Sequence, residues 1–521
     1  MSMKLLVHRL KWKMFKKFNI QDTSIQNELS SKNSIDYFKE LISLKNKYNV
    51  NSIKMGDEYI WPYVRNRLWI QLYGLGNGNF ARKHIEPTSI QRGSVKDLTF
   101  KHRKQLKSKY DVKELYEFTD SELSADFLFF TVINAAEQVK LDNEKIYHRI
   151  TDPFYEVAKR IGTAKKIEIM RVKTKSIEKS KKYYHKVIYI FPPFIYKSGY
   201  FNKIKFGTFL SNLKKYIPSL VHNGEEMRAH IDWELHTRDF YIELLKKAKP
   251  KVIFLNGYHY HAPLISAAHH LNIKSVDIQH GIQVGWNPLY NDWSEMPKEG
   301  YQALPDYFFV WSKKEFYSIQ KVFKGLKHTP IIVGYPWLDR QLELTKSLDS
   351  SYIEKFSKYK IRVILALQRQ PQVPKIYKDL ISNSTNDILW IVRHHPKGNK
   401  FKIKDFSEEI NNDIIINDYI DNISLPQLFK YTDIVISEGS TVAAEADYAG
   451  LYNFIFSKKG KGNYIKEINN GSFFFLNNYK DFYSIIKELD LSIREPRAKL
   501  YEKVNLDKVF KKLLNGDKFE K

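Results

Sequence analysis

A long series of short apolar strands, separated by helical stretches, constrains the fold of this chain more than any other feature. The first group comprises DFLFFTVI, KIEIMRV, KVIYIFPP, KVIFLNG, SVDIQHG, DYFFVWS and IIVGYP, between residues 126 and 336. Strands that are apolar throughout are buried on both faces, and intervening helices supply the cover. The pattern therefore predicts an α/β fold built on a mostly parallel sheet with helices on both faces.

A second, smaller series of the same kind follows the segment GYPWLDRQ. It comprises RVILALQ, DILWIVRHHP, DIVISEGS, YNFIFS and GSFFFLN. Because 521 residues are too many for one ordinary core, the two series predict two doubly wound domains facing each other across a cleft. We expect a basic helical N-terminal region at 1–120, an α/β domain at 121–335, a second at 336–500, and a C-terminal helix or tail at 501–521.

The composition is that of a folded protein with anionic partners. Hydrophobic residues make up 43% of the chain, which is enough for well-packed interiors, and the absence of cysteine excludes disulfides and thiolate zinc sites. Lys and Arg number 85 against 58 Asp and Glu, which gives a formal net charge of +27. Such an excess favours phosphorylated or acidic substrates, acidic lipid headgroups or nucleic acid as partners.

The first twenty residues, MSMKLLVHRLKWKMFKKFNI, interleave basic and apolar side chains. This composition is typical of a helix that lies on an anionic membrane surface. The charges spread around most of the helical circumference, however, so a solvated basic helix packed on the protein's own surface is the alternative. Neither a membrane span nor a cleavable signal is visible. We expect a cytoplasmic protein, with peripheral contact at the inner face of the cell membrane if the first alternative holds.

Polar side chains follow the carboxyl ends of four predicted strands. They are Gln368 after RVILAL, Arg393, His394, His395 and Pro396 after ILWIV, Ser440 and Thr441 after DIVISEG, and Asp277, Gln279 and His280 at the end of SVDIQHG. Open α/β sheets bind ligands outside the carboxyl ends of their strands. Taken singly, Ser440 is also a natural helix N-cap, and either His of the His-His pair is also a natural loop hydrogen-bonding residue.

The strand ends of the second series suit a phosphate-bearing ligand. A helix that starts at Ser440-Thr441, after a turn containing Gly, offers free N–H groups and the positive end of the helix dipole. Arg393 and His395 bring further donors to the same edge. Glu445, one turn further along the helix, is placed to accept hydrogen bonds from sugar hydroxyls. A nucleotide monophosphate or diphosphate is therefore the predicted ligand.

The segment SEGSTVAAEADYAGLYNFIF resembles the nucleotide-sugar-binding segment of GT-B glycosyltransferases, in which a Glu binds the ribose and a Gly precedes the next strand; Glu445 and Gly450 match. The combination of a His-Pro element (His395-Pro396) with a Ser/Thr helix start (Ser440-Thr441) resembles the one found in bacterial transferases with cytidine-activated donors. These enzymes are sialyltransferases, capsular Kdo transferases and CDP-glycerol transferases. In the first two groups these elements bind the cytidine phosphate. The resemblance covers residues 250–460 and implies a GT-B-like fold, a CMP-activated nonulosonic acid donor and a bacterial surface glycan or lipid-linked acceptor.

Gln279-His280-Gly281 resembles the Gln-His-Gly element of capsular Kdo transferases, and Gly281 permits a sharp turn. Several sialyltransferase families instead have an acidic pair before this Gly, one acid being the general base, and this sequence departs from that pattern. An imidazole takes a proton from an acceptor hydroxyl or gives one to a leaving phosphate, so His280 is the predicted mechanistic residue. The candidate carboxylates are Asp152, Asp277 and Glu295. The structural alternative makes Gln279 and His280 hydrogen-bonding residues of a strand end.

The sequence contains no DxD triplet of the kind that metal-dependent sugar transferases use. We therefore expect a metal-independent enzyme in which Arg, Lys, His and a helix dipole neutralise the leaving CMP. Transfer of a polyol phosphate from CDP-glycerol, as in teichoic acid synthesis, is the alternative within chemistry. A nucleic-acid-binding protein is the alternative of another class, although the basic residues are dispersed and no known nucleic-acid-binding motif is present.

Overall fold

The computed structural model contains two parallel β-sheets with helices packed on them. It describes residues 36, 39–43, 49–55, 58–76, 103, 107, 112–130, 138–141, 145–169, 183–191, 210, 213, 224–281, 283, 287, 289–293, 296–324, 326–343, 347–396, 398–406 and 413–519. The first twenty residues, with the predicted membrane contact, and the candidate carboxylate Glu295 lie outside this part of the chain.

The elements of the first part of the chain form the larger sheet, its helices and two separate antiparallel sheets of two strands each. The helices are α1 (Trp61–Gly76), α2 (Asp120–Leu123), α3 (Asp152–Ile161), α4 (Gly224–Ala248), α5 (Ala262–His270), α6 (Lys313–Val322) and α7 (Pro336–Glu343). The strands are β1 (Lys54–Met55), β2 (Glu58–Tyr59), β3 (Val112–Lys113), β4 (Phe127–Phe130), β5 (Gln138–Lys140), β6 (Ile146–His148), β7 (Ala164–Ile169), β8 (Val187–Ile190), β9 (Val252–Leu255), β10 (Lys274–Ile278), β11 (Tyr307–Val310) and β12 (Thr329–Ile332).

The elements of the second part form the smaller sheet, its helices and the C-terminal helix. The strands are β13 (Ile361–Ala366), β14 (Ile388–Arg393), β15 (Ile414–Ile415), β16 (Ile434–Ser437), β17 (Tyr452–Ile455) and β18 (Phe474–Phe475). The helices are α8 (Ser350–Ser357), α9 (Lys375–Ser382), α10 (Asp418–Asn422), α11 (Leu425–Phe429), α12 (Thr441–Tyr448), α13 (Lys458–Asn463), α14 (Ile465–Asn469), α15 (Tyr479–Ile485) and α16 (Leu506–Asn515). Each predicted strand motif overlaps one of the strands β4, β7 to β14 and β16 to β18, whereas the two-residue strand β15 was not predicted.

The larger sheet is parallel throughout, with the strand order β12-β11-β10-β9-β4-β7-β8-β3. From β4 the chain builds outward through β7 and β8, then returns to the other side of β4 and continues through β9 to β12. The winding direction therefore reverses between β4 and β9. Such a reversal is the topological switch point at which open α/β sheets bind ligands.

The smaller sheet repeats this plan. Its order is β15-β14-β13-β16-β17-β18, and every neighbouring pair is parallel. The switch point lies between β13 and β16. Two doubly wound, Rossmann-like sheets confirm the predicted α/β class of fold, the GT-B-like arrangement that the sequence resemblance implied.

The described part of the N-terminal region packs into the first domain. Trp61, Val64 and Leu68 of α1 are at most 2% exposed and join the hydrophobic core that also holds Leu255 of the larger sheet. Strand β3 pairs with β8 at the edge of that sheet. The sheet therefore begins before residue 120, where the sequence placed the start of the domain, because a two-residue edge strand gives too short an apolar signal.

The C-terminal helix α16 also packs on the first domain. The ring of Phe510 lies 5.2 Å from that of Phe254 and 5.6 Å from that of Phe127, centroid to centroid. The helix begins at Leu506, within the segment 501–521 predicted to form a C-terminal helix or tail. The preceding residues are non-helical because they run back across the first domain, where Glu502 N–H donates to the carbonyl of Trp311 over 3.0 Å. Within the described residues, no helix is long and apolar enough to cross a membrane.

Candidate functional site

The polar residues predicted in the second domain gather at the carboxyl ends of three adjacent strands. Ala366 of β13 lies opposite Arg393 of β14 on one side and opposite Ser437 of β16 on the other. Gln368, the His395-Pro396 segment and Ser440-Thr441 therefore leave the sheet side by side, at the switch point between β13 and β16. This placement confirms the prediction that these residues meet at one sheet edge.

The turn before α12 is tightly constrained. Gly439 has a φ of +96°, and a Cβ at this position would lie 2.2 Å from the Cα of Gly460. The turn presents Ser440, which makes no capping bond to α12. Its carbonyl accepts a hydrogen bond from Tyr464 Oη over 2.8 Å, and its buried Oγ has no partner among the described residues. Because a buried hydroxyl is costly to leave unsatisfied, this Oγ is suited to a ligand.

The two adjacent histidines after β14 have different environments. His394 is 5% exposed. Its Nδ1 donates to Asp421 over 2.8 Å, while its Nε2 accepts from the N–H of Phe401 over 2.9 Å. This pattern fixes a neutral tautomer and ties the loop to α10, so His394 has a structural role. His395 is half-buried, and Pro396 is exposed.

The loop carrying His395 closes on the end of β13. A Cβ at Gly398 would lie 2.9 Å from the carbonyl oxygen of Gln368 and 3.2 Å from the Cβ of His395. Arg393 is half-buried, its guanidinium donates to the carbonyl of Ile420, and burial lowers its pKa to about 10. His395 and Gln368 thus lie together at the rim, whereas Arg393 is anchored within the domain.

Glu445 is engaged by a residue of the first domain. Its Oε1 lies 3.3 Å from a guanidinium nitrogen of Arg149, which follows β6. Glu445 is 5% exposed, and burial raises its pKa, an effect that Arg149 opposes. Glu445, which is predicted to accept hydrogen bonds from ribose hydroxyls, is therefore paired with a charged residue that is 296 positions away in the sequence.

In the first domain, Asp277 and Gln279 lie inside the protein. Asp277 is fully buried and accepts hydrogen bonds from Tyr290 Oη over 2.9 Å and from Tyr258 N over 3.2 Å. Burial raises its pKa to about 7. Gln279 donates from Nε2 to the Gly281 carbonyl and accepts at Oε1 from Trp311 N. These bonds give Gln279 the strand-end role of the structural alternative rather than its predicted catalytic role, and they engage Asp277, a candidate carboxylate, inside the domain.

His280 is half-buried and lies beside two histidines that the sequence analysis did not single out. The Cε1 atoms of His280 and His259 each lie 3.4 Å from the position of a Cβ on Gly257, so both rings line the same turn after β9. Burial, followed by the charges of His280 and His261, lowers the pKa of His259 well below its usual value. The turn after β9 requires a glycine, because the φ of Gly257 is +73°. Gly281, where the sequence predicted a sharp turn after β10, has no positive φ, and its surroundings are open.

The carboxylate Asp152 is held in a buried ion pair. It is 1% exposed, pairs with Lys166 Nζ and accepts a hydrogen bond from His148 N over 2.8 Å. With Asp277 also fully engaged, the imidazole of His280 is the better placed of the described candidates to exchange a proton.

Contacts across the domains connect the two sheet edges. Lys314 Nζ, at the start of α6, lies 2.7 Å from Glu467 and 4.6 Å from the ring centroid of Tyr464. Tyr464 in turn donates to the Ser440 carbonyl. Because α6 follows β11, whose neighbour β10 ends two residues before His280, these contacts bring the His280 end of the larger sheet toward the helix start in the smaller one.

Three of these residues were missed by sequence reasoning for different reasons. His259 follows the strand KVIFLNG just as His280 follows SVDIQ, so the strand-end rule applied to YHYH would have found it. Arg149 and Lys314 lie next to the second domain only through the fold, and no local pattern marks them.

No protein-family model matches the chain, and no curated protein matches it. Among solved structures it is similar to Staphylococcus aureus MnaA with UDP (12% identity, 75% of this chain and 97% of that chain covered, TM-score 0.47). It is also similar to UDP-GlcNAc 2-epimerase from Neisseria meningitidis bound to UDP-GlcNAc (13%, 75% and 99%, 0.44) and to spinosyn rhamnosyltransferase SpnG complexed with spinosyn aglycone (9%, 75% and 96%, 0.40). Likenesses of this level carry no residue-level information about the site.

Proposed function

We propose that the protein is a metal-independent glycosyltransferase that moves a nonulosonic acid of the sialic, pseudaminic or Kdo type from its CMP form. The acceptor is a bacterial surface polysaccharide or its lipid-linked precursor, modified at the inner face of the cell membrane. The observation that supports this most directly is the convergence of His395, Gln368 and Ser440-Thr441 at the switch point of the smaller sheet.

These groups suit a single phosphate. The N–H groups at the start of α12 and the hydroxyls of Ser440 and Thr441 are donors, and His395 adds an imidazole from the neighbouring strand end. Glu445, one turn into the helix, accepts hydrogen bonds from the ribose. A monophosphate leaving group carries less charge than a diphosphate, so these donors and the helix dipole neutralise it.

In the transfer step the acceptor oxygen bonds to the anomeric carbon, and the bond from that carbon to the CMP phosphate oxygen breaks. His280, on the opposite sheet edge, takes the proton from the acceptor hydroxyl, and CMP leaves with the bonding electron pair. The neutral imidazole of His259 lies beside His280 and adds no positive charge of its own where the protonated His280 forms.

A thermal-shift panel of CMP, CDP, UDP and GDP tests the proposal. A ligand at a hundred times its dissociation constant adds about 2.7 kcal/mol of stability, so we expect a clear shift with CMP and much smaller ones with UDP and GDP. A preference for CDP would indicate polyol-phosphate transfer. A preference for UDP would assign another nucleotide-sugar class, and UDP is the nucleotide named with two of the solved structures. Salt-sensitive binding of random DNA without any nucleotide shift would replace the proposal by nucleic-acid binding.

A further inference from the structure

The ion pair between Arg149 and Glu445 is one of the contacts that join the proposed donor helix α12 to the first domain; Ala443 and Ala444 of the same helix pack in a core with residues of the larger sheet. The two side chains differ in exposure, with 24% of the Arg149 side chain accessible but 6% of the Glu445 side chain. The Glu445 side chain is therefore enclosed, whereas the Arg149 side chain is partly accessible. Arg149 lies on the turn between β6 and α3, next to the N-terminus of a helix that packs in the first domain.

The net stability that the Arg149–Glu445 ion pair contributes is too small to explain its presence. The desolvation of the enclosed Glu445 carboxylate and of the partly buried Arg149 largely offsets their attraction, so the pair contributes little net stability compared with an apolar contact. Losing one partner, by contrast, leaves an uncompensated charge. Any ligand that takes one member of the pair must therefore supply hydrogen bonds to it and a new partner to the other.

A nucleotide donor meets both requirements. Its ribose hydroxyls donate to Glu445, as the proposed function has it, and its anionic oxygens offer Arg149 a new partner. We propose that Arg149 is a donor-binding residue that moves from Glu445 to an oxyanion of the donor, either the phosphate or the carboxylate of the transferred sugar acid. This inference rests on the proposed function and adds a positive charge from the first domain to the site.

The planar guanidinium suits this role because it binds phosphate and carboxylate oxygens in a bidentate manner. Exchange of partners also gives the two domains a contact that depends on the bound ligand. Cytidine, which has the ribose but no oxyanion, would displace Arg149 from Glu445 without offering it a partner.

The test compares the dissociation constants of cytidine, CMP and a CMP-sialic acid, measured by calorimetry without acceptor, for the wild type and Arg149→Ala. We expect the variant to bind CMP or the CMP-sugar about 10-fold or more weakly, as for a lost charged hydrogen bond, and to bind cytidine at least as tightly as the wild type, because no ion pair has to be broken. A loss for both anionic ligands identifies the phosphate, and a loss for the CMP-sugar alone identifies the carboxylate.

Arg160→Ala is the matched control. Arg160 is also an arginine of the first domain and pairs with Asp507 of α16 over 2.6 Å at an exposed position, so its loss should change each dissociation constant by less than about 2-fold. Should Arg149→Ala fold poorly, Glu445→Gln takes its place. We expect that variant to bind cytidine more weakly but to keep the wild-type ratio of cytidine to CMP dissociation constants.

Equal weakening of all three ligands in Arg149→Ala, or no weakening of any, would overturn the role of Arg149 while leaving the proposed function intact. The role of Arg149 would also be overturned if Arg160→Ala weakened CMP binding as much as Arg149→Ala does. A wild-type protein that binds none of the three ligands would instead refute the proposed function, and this inference with it.

Discussion

Replacing Asp277 with Asn should stabilise the protein above neutral pH. The carboxyl group is fully buried, and its pKa of about 7 is well above the value of about 3.9 for an aspartate in an unfolded chain. The native state therefore holds this proton more tightly than the unfolded state. The contribution of the group to stability is fully present below pH 3.9 and is lost as the pH rises through 7.

The magnitude follows from the pKa difference. Each pH unit between the two values costs about 1.4 kcal/mol, so the wild type should lose about 2–3 kcal/mol between pH 5 and pH 7 from this group alone. Asn has no proton to exchange. Its amide donates to Tyr290 Oη, and its oxygen accepts from Tyr258 N, so both hydrogen bonds of Asp277 have a replacement. The difference in unfolding free energy, variant minus wild type, should rise up to pH 7 and then level off.

Equilibrium urea unfolding of both proteins at pH 5, 6, 7 and 8, followed by two spectroscopic probes, measures this difference. Tyr290→Phe is the matched comparison. The hydroxyl of Tyr290 lowers the pKa of Asp277. In Tyr290→Phe the pKa of Asp277 should therefore be higher, and the loss of stability with rising pH should continue to a higher pH than in the wild type. A stability difference between Asp277→Asn and the wild type that stays constant from pH 5 to pH 8 would refute the reasoning. Loss of turnover without loss of stability in Asp277→Asn would restore the catalytic role.

Three further predictions concern the site. His280→Ala should lower turnover about 100-fold, as losses of general acid–base catalysis do, with CMP affinity unchanged in titrations; a destabilised but fully active variant would reduce His280 to a strand-end residue. His394→Ala should lose about 2–3 kcal/mol of stability because Asp421 and the Phe401 N–H lose a buried partner. His395→Ala should instead mainly weaken CMP binding. Urea unfolding measures the first effect and calorimetry the second, and the reverse pattern would exchange the roles of the two histidines. Turnover should persist in EDTA, and complete loss restored by magnesium or manganese would contradict the metal-independent chemistry.

The sheets could be predicted from the sequence because the fold depends on features that are local. A strand such as VIFL or IVIS is apolar at every position, and in parallel sheets this pattern occurs only where both faces are covered. The winding order then follows from connections that are helical. The same logic located the polar strand ends, since parallel strands place their carboxyl ends at one edge.

What the sequence could not supply are contacts between residues distant in the chain. Arg149 and Glu445 meet because two domains pack together, and nothing in RITDPF marks the arginine as part of the site. The direction of a side chain at a strand end is also non-local. Whether His394 or His395 is the buried one depends on Asp421, which comes from a different element.

The Gln-His-Gly element shows how the predicted and the observed roles fit together. The amide of Gln279 uses both of its ends inside the domain, one on Trp311 N and one on the Gly281 carbonyl. This fixes the backbone on either side of His280 without using the imidazole. A glutamine is suited to the task because it donates and accepts at once, whereas a carboxylate in its place would leave the Gly281 carbonyl without a donor. In the proposed mechanism the stretch that resembles a catalytic motif is therefore divided by function: Gln279 stabilises the strand end, and His280 exchanges the proton.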